Sequence, residues 1–241
     1  MNRYILCLMA LISIASYGAK KEDTFQTPGG KTVTIHHIKH ASIYIEYDGR
    51  HIYIDPVSDL PPKTDFSLYP KASILLVTHE HFDHYDDATI NKLCLPATAL
   101  YTNKAVHDKL GRGTAMSNGD SIVLSKDIKL WAVPAYNTTA GREQFHPKGR
   151  DNGYILALDG LRIYIAGDTE DIPEMADLKD IDIAFLPCNQ PYTMTIDQLV
   201  KASETIRPKV LFPYHFSDTP INQVPLRMSG SGIDVRLRDY K

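Results

Sequence analysis

The sequence has few cysteines, little net charge and no long apolar run beyond its first residues. Three cysteines among 241 residues are too few for a disulfide framework. A formal net charge of -3 gives the chain no overall attraction to nucleic acid. After the first 20 residues no stretch is apolar and long enough to span a bilayer. We therefore expect no nucleic-acid partner and no stable membrane insertion.

Hydrophobic residues, by contrast, make up 43% of the chain, which is enough for a substantial core. The length permits one large domain or two small ones, and one domain is the simpler interpretation. No internal repeat and no low-complexity segment is apparent in the sequence.

The first residues have the layout of a secretory signal peptide. Arg3 is followed by an apolar run over 5–15 and then by the small residues Ser16, Gly18 and Ala19. The sequence predicts a signal peptide over 1–18 and a mature domain over 19–241, exported to the periplasm or secreted. An uncleaved membrane anchor is the alternative.

Two cysteines would remain in the mature chain after removal of the leader. Cys94 and Cys188 enter a compartment where thiols can be oxidised. The sequence leaves open whether these two residues form a disulfide.

Short apolar runs indicate two groups of strands with helices between them. The runs over 32–38, 42–47 and 51–56 alternate in polarity and are closely spaced, which predicts an antiparallel meander. A buried strand is predicted over 72–79, and six further strands follow between 121 and 216. Helices are predicted near 87–95, 103–111, 171–179 and 195–207, the last two opened by Asp171 and Thr195. This order suggests two sheets packed face to face and covered by helices.

Polar, titratable residues stand directly after the predicted strand over 72–79. The segment "THEHFDHYDD" contains His79, His81, Asp83 and His84. In extended backbone the first three side chains emerge on one side, because they are two residues apart, and His84 points elsewhere. Imidazole and carboxylate are ligands that zinc prefers, and manganese, iron and nickel also accept them. The alternative is a solvated loop that happens to be rich in histidine.

The same segment resembles the His-x-His-x-Asp-His signature of the metallo-β-lactamase superfamily. Two later motifs continue the resemblance in order: "AGDT" with Asp168 and "PYHF" with His215, each at the end of a predicted strand. The resemblance implies an α/β fold, an αββα sandwich of two mixed β-sheets flanked by helices. That fold agrees with the strand grouping.

The resemblance also implies a set of metal ligands for one or two divalent ions, with zinc favoured. His79 and His81 would bind the first ion, Asp168 both, and the remaining three the second: Asp83, His84 and His215. Taken alone, Asp168 has an ordinary interpretation as a helix-capping acid, and His215 as a partly buried histidine bonded to backbone.

One expected ligand is missing from the sequence. Members of the superfamily usually carry a further histidine for the first ion after the strand that here ends in "WAVPAY", but the next residue is Asn137. Either His146, in the polar stretch over 137–152, folds back to complete the first site, or that site is weaker and the enzyme works with one ion. Asn137 could coordinate through its amide oxygen or only hydrogen-bond to a ligand.

Other segments are similar to the branch of the superfamily that contains L-ascorbate-6-phosphate lactonase. His40 stands where that branch has a Gly-His-Ala-Ser motif, although Lys39 replaces the glycine. His40 could contribute to the metal site or pocket, or make a structural hydrogen bond at a strand end. Asp55 is expected to support the metal ligands from behind, with a plain turn carboxylate as the alternative.

The resemblance implies a hydrolase that uses a metal-activated water. The substrate would be a small molecule with an ester, lactone, amide or phosphodiester bond, and Asp83 would be the catalytic residue that orients the water and takes its proton. Alternatives are a metal-binding module of this fold without catalysis, and a phosphodiesterase or lactonase for phosphorylated compounds. Lys148 and Arg150 could contact such an anionic substrate or simply be solvated. The oligomeric state is left open.

Overall fold

The structure is a computed structural model that describes residues 21–240, and the predicted signal peptide lies outside these residues. The described chain forms two mixed β-sheets of seven strands each, as the sequence predicted. None of the helices within 21–240 has the length and apolar character that a bilayer crossing requires.

The first sheet holds its strands in sequence order. β1 to β4 pair antiparallel and β4 to β7 pair parallel. Asp48 and Gly49 form the tight turn between β3 and β4, both with positive φ, as an Asp-Gly hairpin turn requires. The strands are β1 (Glu22–Gln26), β2 (Thr32–Lys39), β3 (Ser42–Tyr47), β4 (Arg50–Ile54), β5 (Ile74–Val77), β6 (Ala99–Thr102) and β7 (Thr114–Ala115).

The second sheet repeats this topology. Its first three strand pairs are antiparallel and its last three are parallel. The two halves of the chain therefore share one architecture, although their sequences show no repeat. The strands are β8 (Ser121–Ser125), β9 (Ile128–Ala135), β10 (Asp151–Leu158), β11 (Leu161–Ile165), β12 (Ile183–Pro187), β13 (Val210–Tyr214) and β14 (Asp234–Val235).

Helices cover the sheets on their outer sides. Strand β5 is buried on both faces: Ile74 and Leu76 belong to the large core between the sheets, and Leu75 and Val77 to a smaller core with α1 and α2. Buried residues of α3 join the large core. The helices are α1 (Asp87–Leu93), α2 (Lys104–Leu110), α3 (Ile196–Ile206) and α4 (Gln223–Arg227), with 3₁₀ turns at Phe66–Leu68 and Pro173–Asp177.

One predicted helix start is wrong and another is confirmed. Asp171 does not open a helix, because Pro173–Asp177 forms a 3₁₀ turn without a side-chain cap, and the Asp171 carboxylate instead pairs with Lys201 Nζ at 2.6 Å. Thr195 caps α3 in a reciprocal capping box with Gln198.

Cys94 and Cys188 are both unpaired in the structure. Cys94 ends α1 beside the smaller core, and Cys188 is buried in the large core.

Candidate metal centre and active site

The candidate site forms where several strands end at one edge of the two sheets. Asp55 follows β4, His79 lies two residues beyond β5, Asp168 follows β11 and His215 follows β13. His40, Asp55 and His215 have left-handed backbone, with φ of +46°, +46° and +47°. Such backbone costs roughly 1–3 kcal/mol at a non-glycine residue and tends to occur at functional sites.

The first group of side chains comprises His79, His81, His146 and Asp168. One potential ligand atom from each lies within 4.8 Å of those of the other three. His146 Nε2 is 3.3 Å from Asp168 Oδ2 and 3.2 Å from His81 Nδ1, and His79 Nε2 is 3.8 Å from Asp168 Oδ2. His146 thus folds back into the position that the sequence left open.

The second group comprises His40, Asp83, His84 and His215, again within 4.8 Å of one another. Asp83 Oδ2 lies 3.0 Å from His40 Nε2, 3.3 Å from His215 Nε2 and 4.0 Å from His84 Nε2. His40 is therefore a member of this group as well as a strand-end residue.

Asp168 lies between the two groups. Its Oδ1 is 3.2 Å from His84 Nε2, and its Oδ2 is 3.3 Å from both His146 Nε2 and His215 Nε2. A carboxylate in this position can serve two metal ions at once.

Asp55 and Thr78 fix the orientation of two histidines from behind. Asp55 Oδ2 accepts hydrogen bonds from His84 Nδ1, at 2.8 Å, and from the Thr78 hydroxyl, at 2.7 Å. Because that hydroxyl donates to Asp55, it accepts from His79 Nδ1 at 3.0 Å. Both rings then carry hydrogen on Nδ1 and present the Nε2 lone pair to the centre. The sequence predicted that Asp55 supports the ligands but did not predict this role for Thr78. The position of Thr78 between the strand and His79 was the one feature that could have indicated it.

Asn137 orients His146 in the same manner. The Asn137 side chain donates from Nδ2 to the Tyr192 carbonyl at 2.8 Å, and its Oδ1 accepts from His146 Nδ1 at 2.8 Å. This arrangement leaves His146 Nε2 directed at Asp168. The sequence left open whether Asn137 coordinates an ion or hydrogen-bonds to a ligand. In the structure its side chain hydrogen-bonds to His146, a candidate ligand.

Glu170 anchors the loop that carries His146, a role that nothing in the sequence had indicated. Its buried Oε2 accepts hydrogen bonds from the backbone N–H groups of Thr138 and Thr139, at 2.7 and 2.6 Å, and from the Thr138 hydroxyl. The loop between β9 and β10 is thereby held at its start.

The centre carries ionised carboxylates among buried imidazoles. Burial lowers the pKa of His79 well below its ordinary value. Burial also opposes protonation of His84 and His215, but the carboxylates of Asp168 and Asp83 outweigh it: they raise the pKa of His84 well above its ordinary value and that of His215 to about 9. The same contacts hold the pKa of both carboxyl groups below their ordinary value against burial. The two carboxylates therefore stabilise positive charge at the centre.

The residues present fit a divalent metal. Several buried atoms at this centre have no hydrogen-bond partner: His79 Nε2, His84 Nε2, Asp168 Oδ1, and both ring nitrogens of His215. An unsatisfied buried polar atom costs about 1–3 kcal/mol, so their convergence on one place calls for a ligand. Imidazole nitrogens with shared carboxylates are the donor set of zinc and related divalent ions.

A cavity of about 570 Å³ opens above the centre. Its floor consists of candidate ligands from both groups. The lining residues are His40, Leu60, Glu80, His81, Phe82, Asp83, Phe145, His146, Asp168, Asn189, Tyr192 and Ser217.

Comparison with known proteins identifies the family. Residues 34–215 match the beta-lactamase superfamily domain, and the chain belongs to that superfamily. A UPF0173 metal-dependent hydrolase from Ligilactobacillus salivarius is 33% identical over 191 residues, which cover 75% of this chain and 84% of the relative.

Solved structures agree with this assignment. A crystal structure from Parabacteroides distasonis, assigned to a metal-dependent hydrolase, is 52% identical, has a TM-score of 0.89, and matches 91% of this chain and 99% of its own. Igni18, a metallo hydrolase from Ignicoccus hospitalis, is 25% identical with a TM-score of 0.73, over 86% of this chain and 95% of its own. The resemblance to the lactonase-containing branch stays a prediction.

Proposed function

We propose that this protein is a metal-dependent hydrolase of small molecules. The observation that carries the proposal is the pair of histidine and carboxylate groups that share Asp168 at the floor of an open cavity. Relatives described as metal-dependent hydrolases support it. The bond cleaved would be an ester, lactone, amide or phosphodiester.

The proposed ligands are His79, His81 and His146 for one ion, Asp83, His84 and His215 for the other, and Asp168 for both. A divalent ion bound here would lower the pKa of water from about 15.7 toward 7 and polarise the carbonyl or phosphoryl oxygen that gains negative charge during hydrolysis. Zinc is the ion we propose, with manganese, iron and nickel as the ions to compare.

The chain's own residues orient the attacking water and handle its proton. Asp83 lines the cavity, and its lowered pKa keeps it ionised so that it can position water by accepting a hydrogen bond. His40 contacts Asp83 at 3.0 Å, and burial, reinforced by His215, lowers its pKa, so the ring is neutral at pH 7. Neutral His40 can therefore keep a hydrogen bond to Asp83 and share in proton transfer.

The alternative of a metal-binding module without catalysis rested on the missing histidine. The closeness of His146 Nε2 to Asp168 and the hydrogen bond from Asn137 support His146 as the replacement ligand, so no observation favours this alternative.

Metal analysis and hydrolysis assays test the proposal. We expect one or two equivalents of zinc per chain, together with metal-dependent turnover on a panel of esters, lactones, amides and phosphodiesters. Replacing His79 and His84 together by alanine should remove metal binding and lower turnover by orders of magnitude. The matched control replaces His36 and His107, which lie outside the site. Activity that survives loss of both site histidines would contradict the proposal.

We also propose that the protein is exported, on the basis of the leader pattern over 1–18. The test expresses the full chain and a chain that begins at Lys20 in bacteria, followed by fractionation and mass spectrometry. Cleavage after Gly18 or Ala19 with recovery outside the cytoplasm is expected for the full chain alone. Recovery of intact full chain in the cytoplasm would contradict export.

A further inference from the structure

The walls of the catalytic cavity lack cationic side chains. Among the residues that the structure describes, no lysine or arginine lines this cavity. A second cavity of about 440 Å³ shares His40, Leu60 and Ser217 with the first, and within 21–240 its lining also contains neither residue type. The acidic side chains Glu80 and Asp218 belong to these linings. A phosphate or carboxylate placed away from the reacting bond would therefore find no counter-charge on the walls.

Lys148 and Arg150, the two cations that the sequence offered for an anionic substrate, already have polar partners. Lys148 Nζ contacts Glu174 at 2.7 Å and the Tyr136 hydroxyl at 3.0 Å. Arg150 forms two hydrogen bonds of 2.7 Å to Asp151 and a third to the Phe145 carbonyl. Its guanidinium also lies 3.5 Å from His81 Nε2 and 3.5 Å from Glu80 Oε1. Both side chains already pair with carboxylates, and neither of them lines either cavity.

Lys39, which stands in place of the glycine of the related motif, is also unavailable. Its buried Nζ donates to the carbonyl groups of Ser58, Leu60 and Pro62, at 2.8, 2.6 and 3.1 Å. The charge is directed into the loop that forms one wall of both cavities.

The mouth of the catalytic cavity is apolar and aromatic. Phe82 is 78% exposed and Tyr192 is 45% exposed, so two of the six exposed large hydrophobic side chains within 21–240 lie on this one cavity. Phe145 packs edge-on against Tyr192, with ring centroids 5.0 Å apart, and Leu60 faces the same space. Clustering of exposed apolar groups at a cavity indicates a surface that a ligand covers.

We infer, on the basis of the proposed function, that the substrate is uncharged away from the reacting bond and carries an aryl or alkyl group. That group packs against Phe82, Phe145 and Tyr192. The proposed metal ligands lie at the floor of the cavity, so a bound ion would act on the reacting bond rather than on a distant substituent. In ester hydrolysis the oxygen of water bonds to the acyl carbon and the acyl–oxygen bond breaks. The alcohol leaves with one proton, and the acid keeps the other.

Matched substrates that differ only in remote charge test the inference. One pair is 4-nitrophenyl hexanoate and mono(4-nitrophenyl) adipate, which have the same leaving group and acyl length but end in a methyl group and a carboxylate. Equivalent lactone and amide pairs, each with and without a remote carboxylate or phosphate, extend the test. We expect kcat/KM to be at least about tenfold higher for the uncharged member, an effect of the size that one pocket contact supplies.

Two outcomes separate this inference from the proposed function. Equal or faster hydrolysis of the charged members would overturn the inference and leave the hydrolase function intact. Metal-dependent hydrolysis of no member of any pair would overturn both.

Variants at the mouth provide an independent measurement. Phe82→Ala and Tyr192→Ala should each lower kcat/KM for the hexanoate about tenfold, mainly through KM, and change the adipate ester much less. Zinc affinity measured by calorimetry should stay the same, which shows that the centre itself is intact. Leu226→Ala is the matched control, because Leu226 is also 78% exposed but lies outside both cavities. Unchanged hexanoate kinetics in both mouth variants would contradict the inference.

Discussion

At the scale of single residues, three candidate ligands are histidines whose Nδ1 atoms hydrogen-bond to an oxygen on the side away from the centre. Asp55 contacts His84, Thr78 contacts His79, and Asn137 contacts His146. Each contact places the hydrogen on Nδ1 and leaves Nε2 free for a cation. Outer partners of this kind orient metal ligands and raise their basicity.

The Asn137 contact leads to a prediction about metal affinity. Asn137→Ala removes the acceptor that fixes the His146 ring, so the first metal position should lose about 10- to 100-fold in affinity while the second keeps its own. Competition calorimetry with zinc resolves the two steps. Asn91→Ala, at an exposed position of α1, is the control. Two unchanged binding steps in the Asn137 variant would show that the amide does not support a ligand.

The sequence could predict most candidate residues but not their contacts. The histidine-rich segment, Asp168 and His215 follow predicted strand ends, and the structure brings them together. The choice between Asn137 and His146 could not be made, because it depends on how a fifteen-residue loop over 136–150 returns to the sheet edge. Their roles as ligands stay predictions for metal analysis to test.

At the scale of secondary structure elements, the sequence predicted those strands, turns and helix caps that depend on residues close together in the chain. Alternating polarity predicted β2, β3 and β4, and the Asp-Gly turn between the last two strands. Thr195 was correctly predicted as a cap, and in the structure its partner Gln198 lies within the same turn. Asp171 failed as a cap because its carboxylate has a distant partner, Lys201, which the local sequence does not reveal.

The capping box leads to a prediction about stability. Thr195→Ala leaves the first turn of α3 without its acceptor and should lower the free energy of unfolding by about 1 kcal/mol. The buried face of α3 contributes to the large core, so the loss affects global unfolding. Urea denaturation at constant pH measures the effect.

Thr205→Ala is the control within the same helix. Its hydroxyl contacts only the Lys201 carbonyl and is exposed, so the change in unfolding free energy should stay within about 0.5 kcal/mol. Equal effects of the two substitutions would mean that the cap contributes nothing specific.

At the scale of the whole molecule, a buried polar cluster ties the last described segment to the start of the first sheet. His37 contacts Asp23 at 3.0 Å and the Tyr240 hydroxyl at 2.6 Å, and Arg236 and Arg238 pair with the same aspartate. Burial lowers the pKa of His37 despite Asp23, with Arg238 acting in the same direction as burial. The ring is therefore neutral when folded, donates to Asp23 and accepts from Tyr240.

This cluster should make the fold sensitive to mild acid. In the unfolded chain His37 takes up a proton below its ordinary pKa of 6.5, whereas the folded chain resists protonation. Unfolding then binds an extra proton, so the contribution of His37 to stability falls as pH drops below 6.5, by up to about 1.4 kcal/mol per pH unit.

The measurement is urea unfolding of the protein and of His37→Gln between pH 7 and about pH 5. The difference between the two should shrink as pH falls, because only the parent chain loses the His37 contribution. His107→Gln, on the surface of α2, is the control. A constant difference across this range would show that folding does not lower the pKa of His37, and a difference that grows toward pH 5 would show that folding favours the protonated ring.

The repeated topology described for the two sheets also has a thermodynamic consequence. The first half of the chain supplies His40, His79, His81, Asp83 and His84, and the second half supplies His146, Asp168 and His215. In the proposed ligand assignment each ion takes ligands from both halves. The free energy of ion binding therefore also stabilises the association of the two halves. Removing the ion should weaken this association before it destabilises either sheet.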